Sequence, residues 1–331
     1  FFAATLIFKE TTPYWGTDAD GNPTILFQWG QLSIPDMSAL LTYGIQILMS
    51  IMMISMIVTM LVMSFESIRR ISEVLDEEPT IKNPENPVME VNDGSVVFDN
   101  VSFKYKKEAE RYAVNGLNIN IKSGEFIGII GSTGSGKSTL VNLISRLYDT
   151  TEGRVLVGGN DVRSYDLKTL RDSVAVVLQK NFLFSGTVAS NMRWGNKEAT
   201  DEEIVKALRV AQMSETIEAT QERLNKVVEQ GGANFSGGQK QRLCIARTLL
   251  KKLKNLILDD STSAVDTKTD RLIRKALKND LPEMTKIVIA QRISSIEEAD
   301  QIIVLDNGEI NGIGTHKQLL ENNEIYREVY Q

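Results

Sequence analysis

The sequence predicts an α/β fold, a sheet that carries a phosphate-binding loop and is interrupted by a helical insert, preceded by one membrane-spanning helix. Three observations lead there. Residues Gly131-Ser132-Thr133-Gly134-Ser135-Gly136-Lys137-Ser138-Thr139 satisfy G-x-x-x-x-G-K-[ST] without a mismatch. Short apolar runs alternate with helical periodicity from about Val88 onward. Residues Met37 to Phe65 contain no charged side chain.

The 331 residues, 42% apolar and 24% charged, describe a folding chain of about two domains rather than a disordered one. A single cysteine, Cys244, excludes an internal disulfide and fits a reducing compartment. The net charge of −6 argues against nucleic acid as the partner, because a protein that neutralises a phosphate backbone carries a basic surface. A local basic patch stays open.

The first eight residues, Phe1 to Phe8, read as the end of an apolar helix, and the chain starts without an initiator Met, which suggests a fragment. Residues 9–36 read as a surface loop, with Pro13, Pro23, Pro35 and the turn-forming run Asp18-Ala19-Asp20-Gly21-Asn22. As a helix, the 29 residues from Met37 to Phe65 extend roughly 43 Å, more than the ~30 Å hydrocarbon core of a bilayer. A buried helix of a soluble core rarely lacks every charge over this length. Acids precede the span (Asp18, Asp20, Asp36) and Arg69 and Arg70 follow it, so its C-terminal end is expected on the cytoplasmic side. Its methionines, Met49 to Met63, suit a pathway lining for varied apolar ligands, and suit lipid contact or helix packing equally. Residues 1–75 are therefore read as part of a transmembrane domain, and the acidic, proline-bearing stretch 76–95 as a linker.

A second domain is expected over 96–331. Val97, Asp99, Val101, Phe103 and Tyr105 share one face of an extended segment, and Leu117, Ile119 and Ile121 alternate again before Ser123-Gly124. Phe126 to Ile130 reads as a buried strand entering the glycine loop, and Leu140, Leu143, Ile144 and Leu147 repeat at helical spacing after it. Arg154 to Gly159 reads as a hairpin and Val174 to Leu178 as a strand ending at Gln179. An all-helical insert follows, with a capping box at Thr200 to Glu203 and a helix opening at Phe235-Ser236-Gly237-Gly238-Gln239. Leu256 to Leu258, Lys286 to Ala290 and Gln301 to Leu305 are short apolar strands.

The chemistry starts at the glycine loop. Its glycines let successive backbone N–H groups converge on phosphate oxygens, and the helix N-terminus adds partial positive charge. Lys137 is suited to neutralising the β and γ phosphates and Ser138 to ligating Mg²⁺. Downstream, Leu256-Ile257-Leu258-Asp259-Asp260 is an apolar strand ending in a carboxylate, the Walker B pattern, with Asp259 suited to the Mg²⁺ shell. The run Asn234 to Arg242 adds a second anion site, N–H groups of a serine and glycines opening a helix, which a single nucleotide does not need.

With these motifs in place, the chain from Val96 to Gln331 resembles the nucleotide-binding domain of ATP-binding cassette (ABC) transporters, a P-loop NTPase fold with a helical subdomain, here about 180–250. The family signature is usually Leu-Ser-Gly-Gly-Gln; Phe235 replaces the leucine. The resemblance implies that Tyr105 stacks on adenine, that Gln179 is the Q-loop residue reaching Mg²⁺, and that Ser263-Ala264-Val265-Asp266 is the D-loop. The run Leu183-Phe184-Ser185-Gly186-Thr187-Val188, and a membrane helix leading through a short linker into the cassette, resemble exporters in particular. Family cassettes pair head to tail, with ATP between one chain's phosphate loop and the other's signature. The exporter membrane half has six spans, which again implies a fragment of a multi-pass membrane protein with a cytoplasmic cassette.

Two departures stand out. Asp260 occupies the place of the family's water-polarising glutamate, and Gln291 the place of its switch histidine. Asp is one methylene shorter, so its carboxylate sits on the order of an ångström too far from the water, a misplacement that can cost about a hundredfold in rate. Gln cannot accept and return a proton as imidazole can. The expectation is a heterodimeric exporter whose own site holds ATP and hydrolyses it poorly, while Phe235 to Gln239 complete the site of a partner half-transporter. Alternatives are a homodimer using Asp260 as a weak base, a soluble ATPase of this fold, or a regulatory ATP-binding module. Lipid, multidrug or peptide cargo is left open, and His316, the only histidine, is read as structural.

Overall fold

In the computed structural model the described residues are 12–28, 34–179, 182–219, 221–259 and 265–330. Phe1 to Phe8, Asp260, Ser263 and Ala264 lie outside them. The chain divides into two compact units, Phe1–Pro79 and Thr80–Gln331.

In the first unit, strands β1 (Thr12–Thr17) and β2 (Pro23–Gln28) pair antiparallel, from Thr12 opposite Gln28 to Thr17 opposite Pro23. The expected surface loop is thus a hairpin. Its turn is built by Asp18, whose Oδ1 accepts from the backbone N–H of Asp20 at 3.0 Å and of Asn22 at 2.9 Å, with Gly21 at φ 83°. Helix α1 (Ile34–Leu75) runs for 42 residues, roughly 63 Å. It reaches ten residues beyond the uncharged stretch, because Glu66 and Glu73 pair with Arg69 and Arg70 at helical spacing and keep those charges compatible with helix. An 18-residue window has a mean hydropathy of 2.3, and by length and composition the helix suffices to cross a membrane. The hydroxyls of Thr42, Ser50, Thr59 and Ser64 donate to carbonyls four residues back, so these four groups are satisfied within the helix itself.

The second unit begins earlier than the expected boundary at Val96. Val91 is buried, Val88 N–H donates to Ser164 O at 2.8 Å, and Gly94 O accepts from Asn255 Nδ2 and Thr285 Oγ1, both at 2.7 Å. The second half of the expected linker is therefore part of this fold.

In chain order follow β3 (Val96–Phe103), β4 (Val114–Ile121), β5 (Phe126–Gly131), α2 (Lys137–Ile144), β6 (Glu152–Val157), β7 (Asn160–Asp161), α3 (Leu167–Ser173) and β8 (Val174–Val177). The insert holds β9 (Gly186–Thr187), α4 (Val188–Arg193), α5 (Asp201–Val210), α6 (Ser214–Glu218), β10 (Val227–Val228) and α7 (Gly237–Leu249). It is not all helical, since β9 and β10 pair antiparallel. The chain closes with β11 (Asn255–Asp259), α8 (Thr267–Asp280), β12 (Thr285–Ile289), β13 (Gln301–Asp306), β14 (Glu309–Gly314), α9 (His316–Asn322) and α10 (Glu324–Tyr330).

Six strands form the central sheet in the order β14-β13-β5-β12-β11-β8, parallel except for β14. An antiparallel sheet, β4-β3-β6-β7, makes the second layer. Alternation along β5 divides the core: Ile127 and Ile129 pack with β3, β4 and α2, while Phe126 and Ile130 pack with α5, α7 and α8. The predicted single face of the first strand does not hold. Val96 and Phe98 are buried, Asp99 is exposed, and a bulge at Asn100, whose φ is 49°, restarts the burial at Val101 and Phe103. Leu147 is also exposed rather than part of the apolar stripe, because α2 ends at Ile144.

Candidate functional site

Parallel strands deliver their carboxyl ends to one edge of the sheet, and the sequence motifs gather there. Adjacent strands β5, β12, β11 and β8 end at or just before Gly131, Gln291, Asp259 and Gln179 respectively. Ligands of open α/β sheets bind outside such an edge.

The loop from Gly131 to Gly136 is shaped by close approaches that forbid side chains. A Cβ on Gly131 would overlap Leu305 O and lie 2.6 Å from Ser135 Oγ. Gly134 and Gly136 hold φ of 84° and 97°, the left-handed region. Ser132, Thr133 and Gly134 are exposed, whereas Ser135 and Thr139 are buried and brace the loop from within. Gly136 provides the N-cap of α2 and no side chain caps it among the described residues, leaving backbone N–H groups available to an anion. Lys137 Nζ folds back over this concavity, donating to Gly131 O at 2.8 Å, Ser132 O at 2.6 Å and Ser135 Oγ at 3.3 Å.

Ser138 Oγ lies 3.5 Å from Asp259 Oδ2, joining the start of α2 to the end of β11. Burial raises the Asp259 carboxyl above its ordinary value, against the opposing pull of Ser138 and Lys137. A desolvated carboxylate beside a hydroxyl offers hard oxygen donors, and this pair fits Mg²⁺. Gln179 and Gln291 are both exposed at the same sheet edge. Asp260 follows Asp259 outside the described residues.

Tyr105, 54% exposed just beyond β3, places its hydroxyl 2.9 Å from Thr139 Oγ1. The segment just past β3 that carries the aromatic is thus tied directly to the phosphate-loop helix. Phe235 to Gln239 open a different element. Phe235 is buried, with Lys226 Nζ 5.1 Å from its ring centroid. Ser236 is the N-cap of α7, and a capping box closes around it: Ser236 Oγ accepts from Gln239 N–H at 3.3 Å while Gln239 Oε1 accepts from Ser236 N–H at 2.9 Å. Ser236 and Gly237 remain exposed and Gly238 half-buried. His316 pairs through Nδ1 with the buried Tyr326 hydroxyl at 2.8 Å, in line with a structural role.

Sequence reasoning missed Tyr148. Its ring centroid lies 5.2 Å from that of Tyr105 in an edge-on arrangement and 5.4 Å from that of Phe103. It sits in the loop after α2, outside the nine-residue motif, and its closeness to Tyr105 follows from the three-dimensional path of the chain.

A family model described as "ABC transporter" matches residues 114–263. The chain is similar to an ABC transporter ATP-binding protein of Mycobacterium tuberculosis, 41% identical over 304 residues, covering 90% of this chain and 52% of the relative. It is also similar to the ATP-dependent lipid A-core flippase of Haemophilus influenzae, 42% identical over 258 residues, covering 78% of this chain and 44% of the relative. Among solved structures it resembles a bacterial Atm1-family ABC exporter with ATP bound, with a TM-score of 0.76 and 32% identity over 91% of this chain and 52% of that one. The chain spans about half the length of the relatives it matches.

Proposed function

The chain carries the ATP-binding domain of an ABC transporter, and from that premise we propose that it is the cassette and adjoining membrane segment of an exporter subunit, coupling ATP use at a cassette pair to export across a membrane. The observation that carries the reading is the meeting of Lys137, Ser138 and Asp259 at one sheet edge, in a chain that also holds a helix long and apolar enough to span a bilayer. The name of one relative, a lipid A-core flippase, supports a lipid cargo, and that of another, named for multidrug export, supports a multidrug one.

The residues divide the work as follows. Backbone N–H groups from Ser132 to Thr139 hold the phosphates, and Lys137 exchanges its loop carbonyls for phosphate oxygens. Ser138, Asp259 and Gln179 would hold Mg²⁺, which when bound neutralises phosphate charge. Tyr105 offers a ring to the adenine. Ser236 to Gln239 present an exposed helix start to the nucleotide of a partner half-transporter. Asp260 and Gln291 make this chain's own site a slow one, so the pair is a heterodimer whose partner supplies glutamate and histidine.

Two measurements test the core of this reading. The chain, expressed in cells, floats with membranes in a density gradient, and it photolabels with an azido-ATP analogue in the presence of Mg²⁺. Lys137→Ala lowers labelling by about tenfold or more, as loss of a charge-assisted phosphate contact requires. A soluble wild-type chain, or labelling indifferent to Lys137, rejects the proposal.

A further inference from the structure

The three-ring cluster at the mouth of the site has a member that the phosphate-loop motifs do not account for. Tyr148 is an aromatic left 41% exposed on a rigid loop. The rigidity is built residue by residue. Arg146, at φ 49°, turns the chain back after α2, and its buried guanidinium donates to Asp149 Oδ1 at 2.8 Å, Arg163 O at 3.3 Å and Lys82 O at 3.4 Å. Leu147 N–H reaches Asn142 O at 2.9 Å. Three residues past Tyr148, Thr151 N–H donates to Ser102 O at 2.9 Å and its Oγ1 accepts from Lys104 N–H at 3.0 Å. The loop is thereby stitched to the end of β3 and to the residue just before Tyr105.

Tyr105 is held at three points. Phe103 meets it with ring planes at 80° and centroids 4.9 Å apart, Tyr148 meets it at 85° and 5.2 Å, and its hydroxyl binds Thr139 Oγ1. Edge-to-face contacts of this kind fix a ring's plane as well as its position. An aromatic that is to stack on a base gains affinity when its plane is set before the base arrives, because little rotamer entropy is lost on binding.

We propose that Tyr148 is a positioning residue for the nucleotide base: it holds the Tyr105 ring in the plane that adenine stacks on, and so contributes to affinity for the base and not for the phosphates. The proposal rests on the reading that this site takes ATP with its base against Tyr105.

The test compares two ligands, ATP and inorganic tripolyphosphate, by equilibrium binding to the chain in lipid nanodiscs. Tyr105→Ala is expected to weaken ATP by about tenfold, the loss of one base-stacking contact. Tyr148→Ala is expected to weaken ATP by about threefold or more, the loss of one aromatic pair. Tripolyphosphate affinity stays unchanged in both. Tyr148→Phe, which keeps the ring, restores ATP affinity, and Tyr148→Ala adds nothing further in a Tyr105→Ala background. Tyr148→Leu serves in place of Tyr148→Ala if the alanine variant melts early. If Tyr105→Ala weakens ATP while both Tyr148 variants leave it unchanged, the Tyr148 role is overturned and the site stands. If the Tyr148 variants weaken both ligands equally, Tyr148 only braces the fold and the proposal fails. If the wild-type chain binds neither ligand, or ATP no better than tripolyphosphate, the underlying reading of the site is what fails.

Discussion

At Gly136 the phosphate loop needs both a backbone conformation and a space that suit glycine. Its φ of 97° excludes most side chains, and an added Cβ would lie 2.7 Å from Val114 Cγ1 and 2.8 Å from Ala113 O, a carbonyl that cannot move without its strand. Gly136→Ala should therefore destabilise the cassette by roughly 1–3 kcal/mol through backbone strain and clash. The check is thermal or urea unfolding of the two forms side by side; an unchanged midpoint would mean the loop relaxes more freely than its neighbours suggest. Such contiguous residues were the most legible part of the chain, because nine neighbours in sequence encode one local shape. Tyr105 was legible only by resemblance, and Tyr148 not at all, since their proximity depends on Arg146 turning the chain into a left-handed conformation. Asn100 defeated the reading of its strand for a related reason: one residue at φ 49° shifts every later side chain to the other face.

At the scale of elements, helix starts were the most readable feature. The box at Thr200 and Glu203 forms as expected, and Ser236 with Gln239 forms another where the motif had suggested only an anion site. The hairpin Thr12–Gln28 escaped notice because two prolines and a polar turn disguise its strands, whose pairing is settled by the Asp18 side chain. Helix α8 carries a testable consequence of the same capping chemistry. Asp266, its N-cap, accepts from Thr269 N–H at 2.9 Å, and that bond is the largest cause holding its carboxyl below the ordinary value of 3.8. A carboxylate depressed on folding gives stability that is complete above the unfolded value and is lost as pH falls through the folded one. Asp266→Asn keeps a capping acceptor and removes the charge. The wild type should thus melt higher than Asp266→Asn at pH 5, and the difference should shrink as the pH is taken below 3.8 and through the folded value. A difference that does not shrink at all as the pH is lowered from 5 into acid would assign the effect to something other than the ionised cap.

At the scale of the whole molecule, the proposed function gives this chain two contributions to ATP chemistry, and the question is which matters more. On the proposed reading, its own site would pair an intact phosphate loop with Asp260 and Gln291, in the two sequence positions where the family resemblance expects glutamate and histidine. The start of α7, in contrast, keeps Ser236, Gly237, Gly238 and Gln239, with exposed backbone ahead of a well-capped helix. If a partner's nucleotide docks there, a carboxylate placed among those N–H groups opposes the phosphate directly and removes the helix start as an anion site. In membranes holding this chain with a partner half-transporter, Gly238→Asp in this chain should therefore lower ATP turnover by about a hundredfold, the scale set by loss of preorganised donors to a developing charge. Asp260→Asn in the same chain should leave turnover within about twofold, because the step limited by that residue is already too slow to count. The opposite ranking, with Asp260→Asn silencing turnover, would make this chain's own site the working one and favour a homodimer. Equal, partial losses from both would mean two sites that fire alternately, and would end the asymmetric reading while leaving the fold, the loop and the membrane helix where they stand.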